Sequence, residues 1–267
     1  MRACPFILQS LSYAECAQMP YYSILDVAVR HAILLICVHN LCTPSRLVGN
    51  DTRKAVADGW PVQNVIASDL RQGLSVASSL LGTFSILTRS TAFWDFGHEL
   101  FKTTPETFPA AFLAGDVFDP AFLSSREPFS ELPTTPRPVD LGSLTSLIPL
   151  QGHVSAIFAG SFFHLFVEGG QLELARRLAA LLSPLPGSVI FGIHIGLQEK
   201  GERPVWGSGS REVRMFSHSP ESWRDLWEHQ VFEKRPVKVE ARLRTVERVD
   251  STGEREITLL VWSVTRF

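Results

Sequence analysis

Short apolar runs of β type alternate with helical stretches along most of this chain, and that alternation limits the fold more than any other feature. The β-type runs lie at 32–38, 64–68, 110–114, 153–158 and 188–193. Helices are predicted between them. One covers 52–58, with Asn50 or Asp51 as N-cap and Gly59 and Pro61 as the stop. A second covers 93–102, and 143–147 can form a short one. The clearest covers 168–182, where Leu172, Ala175, Leu178, Ala179 and Leu182 repeat at helical spacing opposite Glu173, Arg176 and Arg177. Ser219 followed by Pro220 opens a further helix to about His229. Two strands, 237–246 and 258–265, close the chain around a turn at 250–254. Alternation of this kind builds a mostly parallel sheet with helices on both faces, and the final pair adds an antiparallel edge.

Composition fits that plan. At 267 residues, 45% hydrophobic and 19% charged, the chain has the size and apolar content of one packed α/β domain. A net charge of -2 argues against nucleic acid or an anionic membrane as partner. No apolar run reaches the roughly 18 residues of a membrane span, and Gln9, Ser10 and Glu15 interrupt any apolar core of a signal peptide. The four cysteines, Cys4, Cys16, Cys37 and Cys42, show no zinc spacing and read as reduced thiols of a cytoplasmic protein.

Open α/β sheets bind ligands beyond the carboxyl ends of their strands. Three such ends stand out. The first strand leads to Gly49, Asn50 and Asp51, the second ends at Asp69, and the third ends in Gly115-Asp116. A carboxylate at Asp69 can accept from both ribose hydroxyls of an adenosine. One at Asp116 can accept from the adenine amino group, with Val117 and Phe118 beside the ring. Each of these is also an ordinary turn or cap when taken alone; it is their order that points to a nucleoside.

Residues 49–72, 93–120 and 144–182 resemble fungal small-molecule methyltransferases related to enzymes that O-methylate carboxyl groups in polyketide and meroterpenoid pathways. The resemblance implies the class I methyltransferase fold: a three-layer, Rossmann-like, seven-stranded, mostly parallel sheet with an antiparallel C-terminal hairpin. It implies S-adenosylmethionine as cofactor and a small-molecule acceptor. Gly49 and Asp51 would belong to the first cofactor loop and its helix, along with Arg53. Asp69 with Leu70 would hold the ribose, and Asp116 with Val117 the adenine. Ser161, Phe162 and Phe163 after the fourth strand, and His194 at the end of the fifth, would line the acceptor pocket. A carboxylate acceptor needs no base, being ionised at neutral pH. A hydroxyl acceptor would be served by His164.

Two departures stand against the resemblance. The acidic residue and first glycine expected before Gly49 are missing, with 36–47 in their place, and 73–92 separates stretches the family places almost together. Matching sequence resumes abruptly on each side, which points to translated introns or errors of gene prediction, with two genuine loop insertions as the alternative. On this reading residues 1–31 are an irregular cover and 32–267 the methyltransferase domain. The rival expectation is an inactive, methyltransferase-like binding module.

Overall fold

The computed structural model describes residues 33–38, 46–69, 94–95, 97–206, 212–247 and 256–267. The expected cover at 1–31, the segment 73–92, Leu70 and the 250–254 turn lie outside the described residues.

The strands are β1 (Ile33–Val38), β2 (Val65–Asp69), β3 (Ala111–Ala114), β4 (Val154–Gly160), β5 (Val189–Ile195), β6 (Gly201–Trp206), β7 (Glu212–Ser217), β8 (Val237–Glu247) and β9 (Glu256–Arg266). Seven of them form a mixed sheet in the order β3-β2-β1-β4-β5-β9-β8, and β6 and β7 pair separately. β1 lies between β2 and β4, both parallel to it, and β3 and β5 continue the parallel part outward. β9 runs antiparallel to both β5 and β8, so the C-terminal strand is inserted between its own hairpin partner and the parallel strands. The order reverses between β1 and β4, which is where an open sheet of this kind leaves a crevice.

Alternation along the strands splits the core in two. Ile66, Ile157, Ala159, Ile190, Leu260 and Trp262 point to one face and pack with helix α2 (Glu168–Leu181) and helix α3 (Pro220–Asp225). Val65, Ala67, Ala156, Phe158, Ile193 and Val261 point to the other and pack with Ala55 of helix α1 (Arg46–Ala57). Gly192 of β5 is required by close approach: a Cβ there would lie 2.2 Å from the main-chain oxygen of Ala159 and 2.9 Å from the Trp262 ring.

Local signals account for the helix ends. α1 closes at Gly59, whose φ of +108° suits glycine alone, with Gly59 N–H donating to Val56 O at 3.0 Å. α3 opens on Ser219, whose side chain accepts from Ser222 N–H while the Ser222 hydroxyl receives the Ser219 N–H, with Pro220 at the first helical position. α3 then widens into a π-helical turn, Leu226–Val231.

The structure corrects several expectations. α1 begins at Arg46 rather than after Asp51, so Gly49 is an interior helical residue and no turn glycine. Residues 36–38 belong to β1 and 46–47 to α1, so the segment 36–47 is partly regular structure. No helix forms at 143–147; a 3-10 turn follows at Ile148–Leu150. Arg177 is buried, not on the solvent face of α2, while Arg176 is exposed as its position predicts. The β6–β7 pair was not expected, because its Arg, Glu and Pro residues carry little apolar alternation.

Candidate active site

The strand register gathers the candidate residues along one edge. Val38, the last residue of β1, is level with Asp69 of β2, which is level with Ala114 of β3. On the other side of β1, Cys37 is level with Ala159 of β4, and Gly160 with Ile193 of β5. Asp69, Gly115-Asp116, Ser161 and His194 therefore all emerge at the carboxyl ends of five parallel neighbours, around the reversal in strand order.

The turn after β3 is tightly specified. Asp116 Oδ1 accepts from Phe118 N–H at 2.9 Å, and Asp119 O accepts from Phe122 N–H at 3.0 Å and Leu123 N–H at 2.9 Å. The Phe122 ring lies where a Cβ on Gly115 would be, 2.3 Å from it, so only glycine fits there. Asp116 is half-buried, whereas Val117 is fully buried in the core. Its side chain has no surface to offer an adenine ring in this conformation; Phe118 does, being half-buried.

α1 holds its polar groups inward. Asp51 and Thr52 are buried. Arg53 donates to Thr103 Oγ1 at 2.6 Å and lies 4.3 Å from the ring centre of Phe101 and 4.4 Å from that of Phe108. Arg53 thus ties α1 to the segment after residues 97–101.

On the β4–β5 side, Ser161 adopts a left-handed φ of +52°, which is strained for a residue with a Cβ, and its N–H donates to Ile193 O at 2.7 Å. The chain then turns through Phe163–Leu165. Phe162 and Phe163 are 0% exposed and His194 1%, so these three do not line an open pocket. They belong to a closed aromatic chamber. Phe163 meets Trp223 at 4.9 Å and Trp262 at 5.5 Å between ring centres, and His194 meets Trp223 at 4.8 Å and His164 at 6.4 Å. Of the four expected pocket residues, Ser161 is half-buried and the other three are buried.

His194 has a defined protonation state. Burial pushes its pKa well below the ordinary imidazole range, and His164 and His218 add repulsion between like charges. The indole N–H of Trp262 donates to His194 Nδ1 at 3.0 Å. Indole can only donate, so Nδ1 is the unprotonated nitrogen and the proton sits on Nε2. That Nε2–H is buried and has no hydrogen-bond acceptor among the described residues. His194 is therefore a fixed donor, while His164 stands beside it, buried on the same turn as Phe163. His218 is lowered to about 4, chiefly by burial; Lys200 adds to this, and Glu168 and Asp225 oppose it.

Sequence reasoning missed three groups. Gln171, 0% exposed, donates to Phe166 O at 2.9 Å and Phe216 O at 3.0 Å. Arg177 donates to Val117 O and Leu123 O. Trp262 fixes His194. A polar residue following an apolar one at helical spacing is the signal for the first two, but it is equally the signal of a solvated face. Among the described residues, no group of three His, Cys, Asp or Glu is placed to hold a metal, and no helix is long and apolar enough to cross a membrane.

A sheet with its final strand inserted antiparallel, and with acidic and glycine-containing strand ends meeting at the reversal, has the architecture of class I methyltransferases. A S-adenosylmethionine-dependent methyltransferase from Methanosarcina mazei superposes with a TM-score of 0.51 over 92% of this chain and 98% of that one, at 9% identity, a likeness of fold alone. In sequence the chain is 32% identical to O-methyltransferase phiE of a fungal species over 212 residues, 79% of this chain and 54% of that one. It is 25% identical to Asnovolin E/Chermesin D methyltransferase nvfJ of Aspergillus novofumigatus over 180 residues, 67% of this chain and 48% of that one. The chain is thus similar in sequence to fungal methyltransferases, and it spans about half the length of the relatives it matches. No family model matches it. Nothing in these likenesses favours the inactive binding module.

Proposed function

We propose that the protein is a S-adenosylmethionine-dependent methyltransferase acting on a carboxyl or hydroxyl oxygen of a fungal secondary metabolite. Its domain, over 32–267, would be the three-layer Rossmann-like form of the fold, with α1 on one face of the sheet and α2 and α3 on the other. The observation that carries the reading is the register that brings Asp69, Gly115-Asp116 and Ser161 to one edge. The donor set suits the cofactor. Two carboxylates match the ribose hydroxyls and adenine amino group, and glycine at 115 and 160 keeps the strand ends narrow. α1, from Arg46, is the first helix after β1, and the N-terminus of a helix favours an anionic carboxylate. Gly49 and Asp51 would contribute from within α1, and Leu70 with Asp69.

When bound, the cofactor supplies an electrophilic methyl group that passes in line to the attacking oxygen. The chain's own task is then to orient and desolvate. His194 Nε2–H would donate to an acceptor oxygen, which holds it in place and leaves no role for His194 as a base. A carboxylate acceptor needs no proton removed. For a hydroxyl acceptor His164 would take the proton. The half-buried Ser161 stands beside the packed rings around Phe163, and an apolar acceptor skeleton would lie against that edge.

Isothermal titration with S-adenosylhomocysteine tests the reading. Saturable binding is expected, weakened about tenfold or more by Asp69→Ala and by Asp116→Ala, since each loses a hydrogen bond to a charged acceptor. Absence of any heat from the wild-type protein at millimolar cofactor would overturn it.

A further inference from the structure

We propose that Arg177 of α2 positions the adenine end of the cofactor site without touching the cofactor, by holding the loop after β3 through that loop's main-chain carbonyls. The inference rests on the methyltransferase reading above.

Arg177 is 8% exposed. Its Nη1 donates to Val117 O at 3.1 Å and also to Leu123 O, so one guanidinium ties the two ends of the turn 117–123 together. Its Nε donates to Glu173 Oε1 at 2.8 Å, one helical turn back, which fixes the plane of the guanidinium. Within the turn it spans, Asp116 accepts from Phe118 N–H, and the Phe122 ring covers Gly115. The guanidinium carbon also lies 5.9 Å from the ring centre of Phe118. Every residue expected near the adenine is thus fixed to a clamp anchored on α2.

A buried cation is a poor way to gain stability. An apolar side chain of similar volume often does as well or better. What the arginine gives that a leucine could not is a defined position for two carbonyls, and therefore for the Asp116 carboxylate between β3 and the turn. α2 repeats the device at its other end. Gln171 donates to Phe166 O and to Phe216 O, on the acceptor side of the edge. The two side chains are less than two turns apart on a single rigid helix, so α2 also sets the spacing between the adenine turn and the chamber.

The test measures affinity for S-adenosylhomocysteine and for S-inosylhomocysteine, which carries a carbonyl where adenine has its amino group. Wild-type protein should prefer the adenine compound. Arg177→Met should weaken S-adenosylhomocysteine about tenfold or more and bring the ratio of the two affinities toward one. Arg177→Lys should keep part of the ratio, since an ammonium can still reach one carbonyl. Glu173→Gln, at a half-buried position, should shift the ratio in the same direction by less. The ratio separates positioning from stability, because a variant that is merely less stable binds both compounds with the wild-type preference. If Arg177→Met does not fold, Arg177→Lys and Glu173→Gln decide. Unchanged ratios in the folded variants overturn the proposal while leaving the methyltransferase reading intact. Failure of the wild-type protein to bind S-adenosylhomocysteine overturns both.

Discussion

The buried histidines make acid stability the sharpest quantity this structure predicts. His194 and His218 are held neutral in the fold, their pKa values lowered chiefly by burial, His218 to about 4 from an ordinary 6.5. In the unfolded chain both titrate near 6.5. Below that pH the unfolded state binds protons that the folded state refuses, so stability is full above about pH 6.5 and falls as pH drops toward the folded value. Each group removes about 1.4 kcal/mol per pH unit once well below its unfolded pKa. Between about pH 8 and pH 5 that amounts to roughly 2 kcal/mol for His218, and His194 adds to the loss in the same direction. A domain stable by about 5–15 kcal/mol feels such a loss plainly. His98 and His153, also lowered mainly by burial, act in the same direction. Most carboxylates titrate below the window, so they contribute little. Urea unfolding at a series of pH values measures the effect, and His218→Gln should remove roughly 2 kcal/mol of it. A change under about 1 kcal/mol over the window would refute the neutral buried pair, because even one such histidine demands more.

Two further perturbations check the acceptor side. Trp262→Phe removes the donor to His194 Nδ1 and leaves both an unsatisfied buried acceptor and a void; a loss of about 3 kcal/mol in urea unfolding is expected, and wild-type stability would mean the indole–imidazole bond contributes nothing. Ser161→Gly should change stability by less than about 1 kcal/mol, because relief of the left-handed φ offsets added chain entropy, whereas Ser161→Val should lose about 2 kcal/mol; equal thermal midpoints for the two variants would show that the backbone at 161 is not strained.

The parts of the fold that were legible in the sequence are those set by local pattern. The five parallel strands, α2, the Ser219-Pro220 helix start and the closing hairpin all carry periodicity or capping residues within a few positions of one another. The strand ends proposed for the cofactor were legible for the same reason: Asp69 and Gly115-Asp116 are strand-end residues, and a parallel register puts strand ends side by side. The start of α1 was misread because Asn50-Asp51 imitates a cap, while Arg46, Leu47 and Val48 carry no N-terminal signal. Arg177 was misread because its partners, Val117 O and Leu123 O, are main-chain groups that no side-chain pattern advertises.

The acceptor chamber is a different kind of object. Phe163 comes from the turn after β4, His194 from β5, His218 from the end of β7, Trp223 from α3, Trp227 from the π turn and Trp262 from β9. His218, Trp223 and Trp227 are close in sequence, but Phe163, His194 and Trp262 come from elements far from them and from one another along the chain. The cofactor edge, by contrast, rests on backbone pairing that a change of side chain in the chamber leaves untouched. The turn after β3 still meets the chamber, since Phe118 lies 5.1 Å from Phe166 and Phe166 5.3 Å from Phe162 between ring centres. Among the described residues, α2 is hydrogen-bonded to both sides, through Gln171 near its start and Arg177 further along. On the proposed reading, acceptor preference and cofactor affinity are therefore coupled by two routes, the helix α2 and the ring contacts from Phe118 through Phe166 to Phe162.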